Sequence, residues 1–304
     1  MRSRVLACLA AAVSATALLT SPAAATPQRG CGTPPQEPGT SALHTIESGG
    51  LHRTYQLHLP ENYHQKRDWP LIVAYHGRGN TGDGTETFSK LSELPAVVAY
   101  PNGVIGLGDG DRQAWQGAPY SAPGVDDVAF TKDLLDELDR TLCVDDRRVY
   151  ATGKSNGAGF VGILGCVLAD RIAAIAPVAG AFYPNGIDCR PSRPVPVIDF
   201  HGTADATIPY TGDADRGLPA IHDWVTAWAD RDRCRAETPA VTIGTDITVE
   251  RWTGCRRGAE VVHVAVTGGG HTWPGADSYS GGGYTTQTIE AHKVLWKFVR
   301  RYAL

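Results

Sequence analysis

The sequence predicts an α/β domain: a mostly parallel central sheet with helices on both faces. Three observations carry this. Short, continuously apolar runs recur along the chain, such as residues 70–75 and 195–200, and such runs suit strands buried on both faces. Stretches with apolar residues at helical spacing alternate with them. The chain has 304 residues, 42% hydrophobic and 20% charged, which is enough for a sizeable core and far too apolar for a disordered chain.

Taken in order, the first 25 residues read as an export signal. Arg2 and Arg4 precede a 15-residue apolar stretch from Val5 to Leu19, followed by Ser21-Pro22-Ala23-Ala24-Ala25. This is a charged start, an apolar centre and a small-residue cleavage site. A membrane anchor needs about 20 apolar residues, so secretion into the extracellular space is the expectation. Residues 26–40 are rich in Pro and Gly and expected to be irregular, and the catalytic domain is expected over residues 41–304. Residues 51–59 alternate as a strand, with Leu51, Arg53, Tyr55, Leu57 and Leu59 on one side. Buried strands follow at 70–75 and 96–100. Residues 125–142 place Val125, Val128, Leu134, Leu135, Leu138 and Leu142 on one helical face, with acids opposite. Then come a strand at 148–152, a small-residue helix at 156–169, and strands at 173–179 and 195–200. A helix at 218–229, strands at 247–252 and 261–266, and an amphipathic helix at 285–302 complete the chain. No linker or repeat interrupts residues 41–304, so one domain is expected.

Charge and cysteine content narrow the function. The formal net charge is −4 with no run of Lys and Arg, which excludes the clustered basic face of a nucleic-acid binder. Removal of the leader takes away Arg2, Arg4 and no acid, leaving −6. It also removes Cys8, so that six cysteines remain: Cys31, Cys143, Cys166, Cys189, Cys234 and Cys255. An even count in an oxidising compartment reads as three disulfides, whose pairing the sequence alone does not choose. There is no Cys-x-x-Cys pair or Cys/His cluster, so neither a metal nor another cofactor is expected.

The chemistry concentrates at three strand ends. Gly153-Lys154-Ser155-Asn156-Gly157 is a G-x-S-x-G sequence between a predicted strand and a predicted helix. In that context the serine sits on a sharp turn, and the glycines let strand and helix pass closely. A phosphate-binding loop would need Gly at position 148, which is Arg. A serine hydroxyl needs a base to take its proton and an acid to orient that base. For a nucleophile elbow the order is Ser, acid, His. The strand at 195–200 runs into His201-Gly202-Thr203-Ala204-Asp205, and the strand at 261–266 into Gly268-Gly269-Gly270-His271. Asp205 and His271 are the candidates, with Asp199 as the alternative acid. His201 precedes the acid and breaks the order, and His222, His263 and His292 fall inside predicted elements. The oxyanion donors are expected to be the backbone amides of Asn156 and of Arg78, the latter in the loop His76-Gly77-Arg78-Gly79. Trp115 and Trp273 are candidates for an aromatic wall at the substrate.

These motifs, together with Val125-Asp126-Asp127-Val128-Ala129-Phe130 and Gly270-His271-Thr272-Trp273-Pro274-Gly275, resemble the secreted esterase family of feruloyl esterases and polyhydroxybutyrate depolymerases. The likeness runs from about residue 45 to the C-terminus. It implies an α/β-hydrolase fold, serine esterase activity and Ser155, Asp205 and His271 as the triad. One departure is visible: relatives commonly carry Cys where this chain has Arg78. The resemblance also implies the bridges Cys31–Cys143, Cys166–Cys189 and Cys234–Cys255. The expected substrate is a polymeric ester, feruloyl or acetyl esters of plant polysaccharide such as xylan ahead of polyhydroxyalkanoate, because few residues remain for a polyester-binding module. No nucleic acid or membrane partner is expected after leader removal, and a monomer is. A non-catalytic binding protein on a hydrolase scaffold is the competing class, and a peptidase the lesser one.

Overall fold

The apolar runs pair side by side in one sheet. The computed structural model describes residues 34–108 and 110–304. Its strands are β1 (Ser41–Ser48), β2 (Leu51–His58), β3 (Trp69–Tyr75), β4 (Val97–Pro101), β5 (Val104–Ile105), β6 (Gln113–Ala114), β7 (Val144–Lys154), β8 (Ala174–Val178), β9 (Val197–Gly202), β10 (Ala236–Ile243), β11 (Ile247–Thr253) and β12 (Val261–Val266). Its helices are α1 (Gly82–Ser89), α2 (Asp127–Thr141), α3 (Asn156–Val167), α4 (Ile221–Arg231) and α5 (Ala291–Val299).

Ten strands form the main sheet in the order β1-β2-β4-β3-β7-β8-β9-β12-β11-β10. From β4 to β12 every pairing is parallel. Each edge is finished by antiparallel strands, β2 and β1 on one side, β11 and β10 on the other. Because side chains alternate along a strand, β3 feeds both layers. Leu71, Val73 and Tyr75 join the core under α2, α3 and α4, while Ile72 and Ala74 join the core under α1 and α5. Residues buried to this degree contribute about 1.5–3 kcal/mol each for a large apolar side chain.

Helix α2 shows how the pattern works. The Asp126 carboxylate accepts from the N–H of Ala129 at 2.9 Å and so caps the first turn. Phe130, Leu134, Leu135 and Leu138 then recur on the buried face.

Five elements were not expected: β1, β10, α1 and the two-residue strands β5 and β6. Strand β1 alternates between exposed and half-buried positions, and β10 is exposed along most of its length, so neither carries the apolar signal of a central strand. Helix α1 is only eight residues of mostly small and polar side chains, started by Thr81, whose hydroxyl accepts from Gly84 N–H. The closing helix is shorter than its amphipathic pattern predicts and begins at Ala291. Cys166–Cys189 and Cys234–Cys255 are bridged as the resemblance implies. Residues 1–25, most of the segment 26–40, and Cys31, the expected partner of Cys143, lie outside the described residues.

Candidate active site

The chain turns from β7 directly into α3, leaving Ser155 at φ 57° and ψ −119°. A non-glycine residue held there stores strain that its surroundings must offset. The Ser155 N–H donates to the Val178 carbonyl, and its own carbonyl accepts from the N–H groups of Gly159 and Ala181, each at 3.0 Å. The flanking glycines are steric requirements. A Cβ on Gly153 would stand 2.8 Å from the Tyr75 carbonyl oxygen, and one on Gly157 only 2.3 Å from the same atom. Strand β3 therefore passes the elbow backbone against backbone.

Asp205 follows β9 and His271 follows β12. These strands are parallel neighbours, so both residues emerge at one end of the sheet. His271 Nδ1 donates to Asp205 Oδ2 at 2.7 Å. The other Asp205 oxygen accepts from the N–H groups of Thr207 and Ile208, both at 2.8 Å. His201 Nε2 approaches Oδ2 at 3.4 Å and donates to the Ile208 carbonyl at 2.9 Å. Burial alone raises the Asp205 pKa, but the hydrogen bonds from His201 and His271 outweigh it and hold the carboxyl well below the usual carboxylate range. The hydrogen of the Asp205–His271 pair is therefore assigned to Nδ1, which leaves Nε2 with a lone pair. Burial pushes the His271 pKa below its ordinary value, the Asp205 hydrogen bond pulls it back, and the charge of Lys154 lowers it again. Ser155 and His271 line one cavity of about 780 Å³. A second cavity of about 310 Å³, against Phe160, Ile163 and Phe182, contains neither.

The loop after β3 lies beside the serine, since a Cβ on Gly77 would be 3.3 Å from Ser155 Cβ. The Gly77 carbonyl accepts from His76 Nδ1 at 2.8 Å and from Asn80 N–H at 3.0 Å. In a planar trans peptide this turns the Arg78 N–H the opposite way. His76 Nε2 in turn accepts from Gly103 N–H at 2.9 Å. Burial pushes the His76 pKa down to about 4, so the ring stays neutral and its tautomer is set by these partners. The Asn156 N–H belongs to the first turn of α3, where helix amides have no intrahelical partner.

The aromatic wall is a correction. Trp115 is 0% exposed and Trp273 1%, and neither borders the cavity. Trp115 stacks on Phe160 at 5.6 Å and Trp273 packs on Phe88 at 5.7 Å, so both rings are spent on the core. Tyr183 and Tyr279 border the cavity instead. Trp115 has another part, which the sequence did not suggest. Its indole N–H donates to the His76 carbonyl at 3.0 Å. Its backbone N–H donates to Asn156 Oδ1 at 2.7 Å, and Asn156 Nδ2 donates to its carbonyl at 3.2 Å. Next to it, Gln116 N–H donates to Asp127, which is paired with buried Arg53 at 2.9 Å. These groups brace the loop that carries Arg78. The doubled acids Asp126-Asp127 were the one visible sign of the brace, Asp126 capping α2 and Asp127 reaching this loop.

The alternative acid is engaged elsewhere. Asp199 faces its register partner His263, accepting from Nδ1 at 2.9 Å, and His263 Nε2 meets the Tyr210 hydroxyl at 2.8 Å. His201 does not border the cavity.

No family model matches the chain. It is 30% identical over 261 residues to Feruloyl esterase B of Piromyces equi, a match covering 81% of this chain and 44% of that protein. It is 30% identical over 275 residues to "Putative esterase NocK" of Nocardia uniformis subsp. tsuyamanensis, covering 79% of this chain and 76% of the relative. Among solved structures, the acetyl xylan esterase from Aspergillus awamori superposes with a TM-score of 0.60 at 16% identity, covering 85% of this chain and 99% of that one. That likeness shows the α/β-hydrolase fold.

Proposed function

The chain belongs to the esterase family that contains the feruloyl esterases, and from that membership we propose that it is a secreted serine carboxylic-ester hydrolase acting on feruloyl or acetyl esters of xylan. Ser155 attacks the ester carbonyl while His271 Nε2 takes its proton. Asp205 stabilises the imidazolium, and the amides of Arg78 and Asn156 receive the oxyanion. His271 then protonates the departing alcohol. Water, activated by the same histidine, releases the acid from the acyl-enzyme.

The observation that carries this reading is the 2.7 Å His271–Asp205 hydrogen bond opening on the cavity that also holds Ser155 on its strained turn. The relatives support the substrate class: one is named a feruloyl esterase, another a bifunctional acetylxylan esterase/xylanase. The Cys166–Cys189 and Cys234–Cys255 disulfides support an oxidising compartment.

Ser155→Ala tests the reading directly. The expected result is a loss of about 10⁶ in kcat with an unchanged melting temperature, and loss of labelling by a fluorophosphonate probe. Near wild-type hydrolysis by that variant overturns the assignment. Methyl ferulate, acetylated xylan and polyhydroxybutyrate film assayed side by side decide the substrate, and activity on the film alone refutes the polysaccharide reading.

A further inference from the structure

The cavity that holds Ser155 and His271 is lined by four cationic side chains, Arg78, Arg112, Lys154 and Arg216, and by no Asp or Glu. The chain as a whole carries a net charge of −4, so this concentration runs against its overall sign. Two of the cations are already engaged. Arg216 pairs with Asp213 at 2.6 Å. Arg78 donates to the Leu107 carbonyl at 3.0 Å and lies over the Tyr120 ring at 4.2 Å. The other two, Lys154 and Arg112, have no side-chain hydrogen bond or ion pair among the described residues.

Lys154 is the informative one. It is only 5% exposed, yet it borders the cavity beside the nucleophile. Its Nζ stands 3.0 Å from the point where a side chain on Gly281 would begin, on the wall that also presents His271. Burial pushes its pKa down to about 8, and the charge of Asp205 behind the cavity pulls it partly back. An ammonium buried without a hydrogen-bonded counter-ion is destabilising. The elbow does not require it, since Lys154 fills the unspecified position between Gly153 and Ser155. An unpaired buried cation next to a reacting centre is accounted for when the ligand brings the anion, and the low dielectric there strengthens that pairing.

We propose that the ester taken by this site carries a carboxylate near the scissile bond, as uronic-acid units on a polysaccharide do, with Lys154 pairing it at the cavity floor and Arg112 attracting it at the mouth. This rests on the esterase reading and names its substrate more closely. Arg112 is exposed and steers the incoming anion, so its share is the one that salt screens. Lys154 is buried and acts on the bound state.

The test uses two matched substrates, acetylated xylo-oligosaccharides bearing a uronic acid and the same oligosaccharides after reduction of the carboxyl to the neutral sugar. The wild-type kcat/KM is expected to be about tenfold or more higher on the acid form, equivalent to about 1.4 kcal/mol. That ratio should shrink as salt rises from ~0.05 to ~0.5 M. Lys154→Met should bring it close to one, with Lys154→Gln in reserve if the first variant fails to fold. Arg112→Gln should lower it severalfold and flatten its salt dependence. If the wild type hydrolyses both forms at equal rates, the carboxylate inference is wrong while the esterase reading stands. If neither form is hydrolysed and the fluorophosphonate probe leaves Ser155 unlabelled, both fall together.

Discussion

Replacing Asp205 with Asn separates the orienting role proposed for this residue from its structural one. The loop contacts of Oδ1 with the amides of Thr207 and Ile208 need only an acceptor, which the Asn carbonyl keeps. The other oxygen, 2.7 Å from His271 Nδ1, becomes an NH₂ donor. His271 must then place its hydrogen on Nε2, where it cannot accept the serine proton. The variant also loses the charge that faces the developing imidazolium. With charge centres about 4 Å apart and an effective dielectric of about 20, that loss is about 4 kcal/mol, or about a thousandfold in rate. The wrong tautomer adds to it, and the same exchange in a serine protease triad costs about 10⁴ in kcat. The expected result for Asp205→Asn is therefore a fall of about 10³–10⁴ in kcat on a chromogenic acetate ester, with the melting temperature little changed. Asp199→Asn is the control. It breaks a buried pair with His263 that lies outside the cavity, so it should lower the melting temperature and leave kcat within a few-fold. An Asp205→Asn enzyme retaining more than about a tenth of its kcat refutes the orienting role.

Two further outcomes follow from the same geometry. In the proposed mechanism only neutral His271 takes the serine proton, and burial holds its pKa below the ordinary value, so activity should stay high on descending through pH ~6.5 and fall only below it. A kcat/KM profile whose acid limb has its midpoint above that value contradicts the burial argument. Gly157→Ala would set a Cβ 2.3 Å from the Tyr75 carbonyl and 2.5 Å from that of His76, both backbone atoms, and should cost about 1–3 kcal/mol in chemical denaturation. Gly282→Ala, whose Cβ meets nothing within 4 Å, should be close to neutral, and equal stability losses in the two would rule out the close-packing account.

What was legible in the sequence follows from where each signal sits. Strands β3, β9 and β12, and β7 from residue 149 onward, are buried on both faces, so they read as largely apolar runs, and Ser155, Asp205 and His271 come at or just past the ends of three of them. Strands β1 and β10 lie at the sheet edges, where one row of backbone groups and much of the side-chain surface meet water, so no apolar constraint marks them. In β10 the register also shifts around Pro239, which interrupts the alternation itself. The two tryptophans were misplaced for a related reason. A ring beside a motif residue in sequence can face the cavity or the core, and that choice depends on Phe160 and Phe88, which are distant in the chain.

The loop after β3, proposed to supply an oxyanion donor, explains why a departure at one position need not disturb the proposed catalysis. The proposed donor at position 78 is a backbone amide. Its direction is set by the Gly77 carbonyl, which His76 and Asn80 hold, and His76 is held in turn by Trp115 and Gly103. None of these contacts involves the side chain at 78. That side chain is consequently free to vary, and in this protein it brings a guanidinium to the cavity wall. Position 154 is similar: Gly153, Ser155 and Gly157 form the elbow, while the Lys154 side chain borders the cavity. The groups proposed to do chemistry are thus fixed by buried partners, and the groups that border the substrate hang from backbone already held in place. Substrate choice can change at positions 78, 112 and 154 without re-forming the elbow or the His271–Asp205 pair, and three of the four cationic side chains of this cavity sit at those positions.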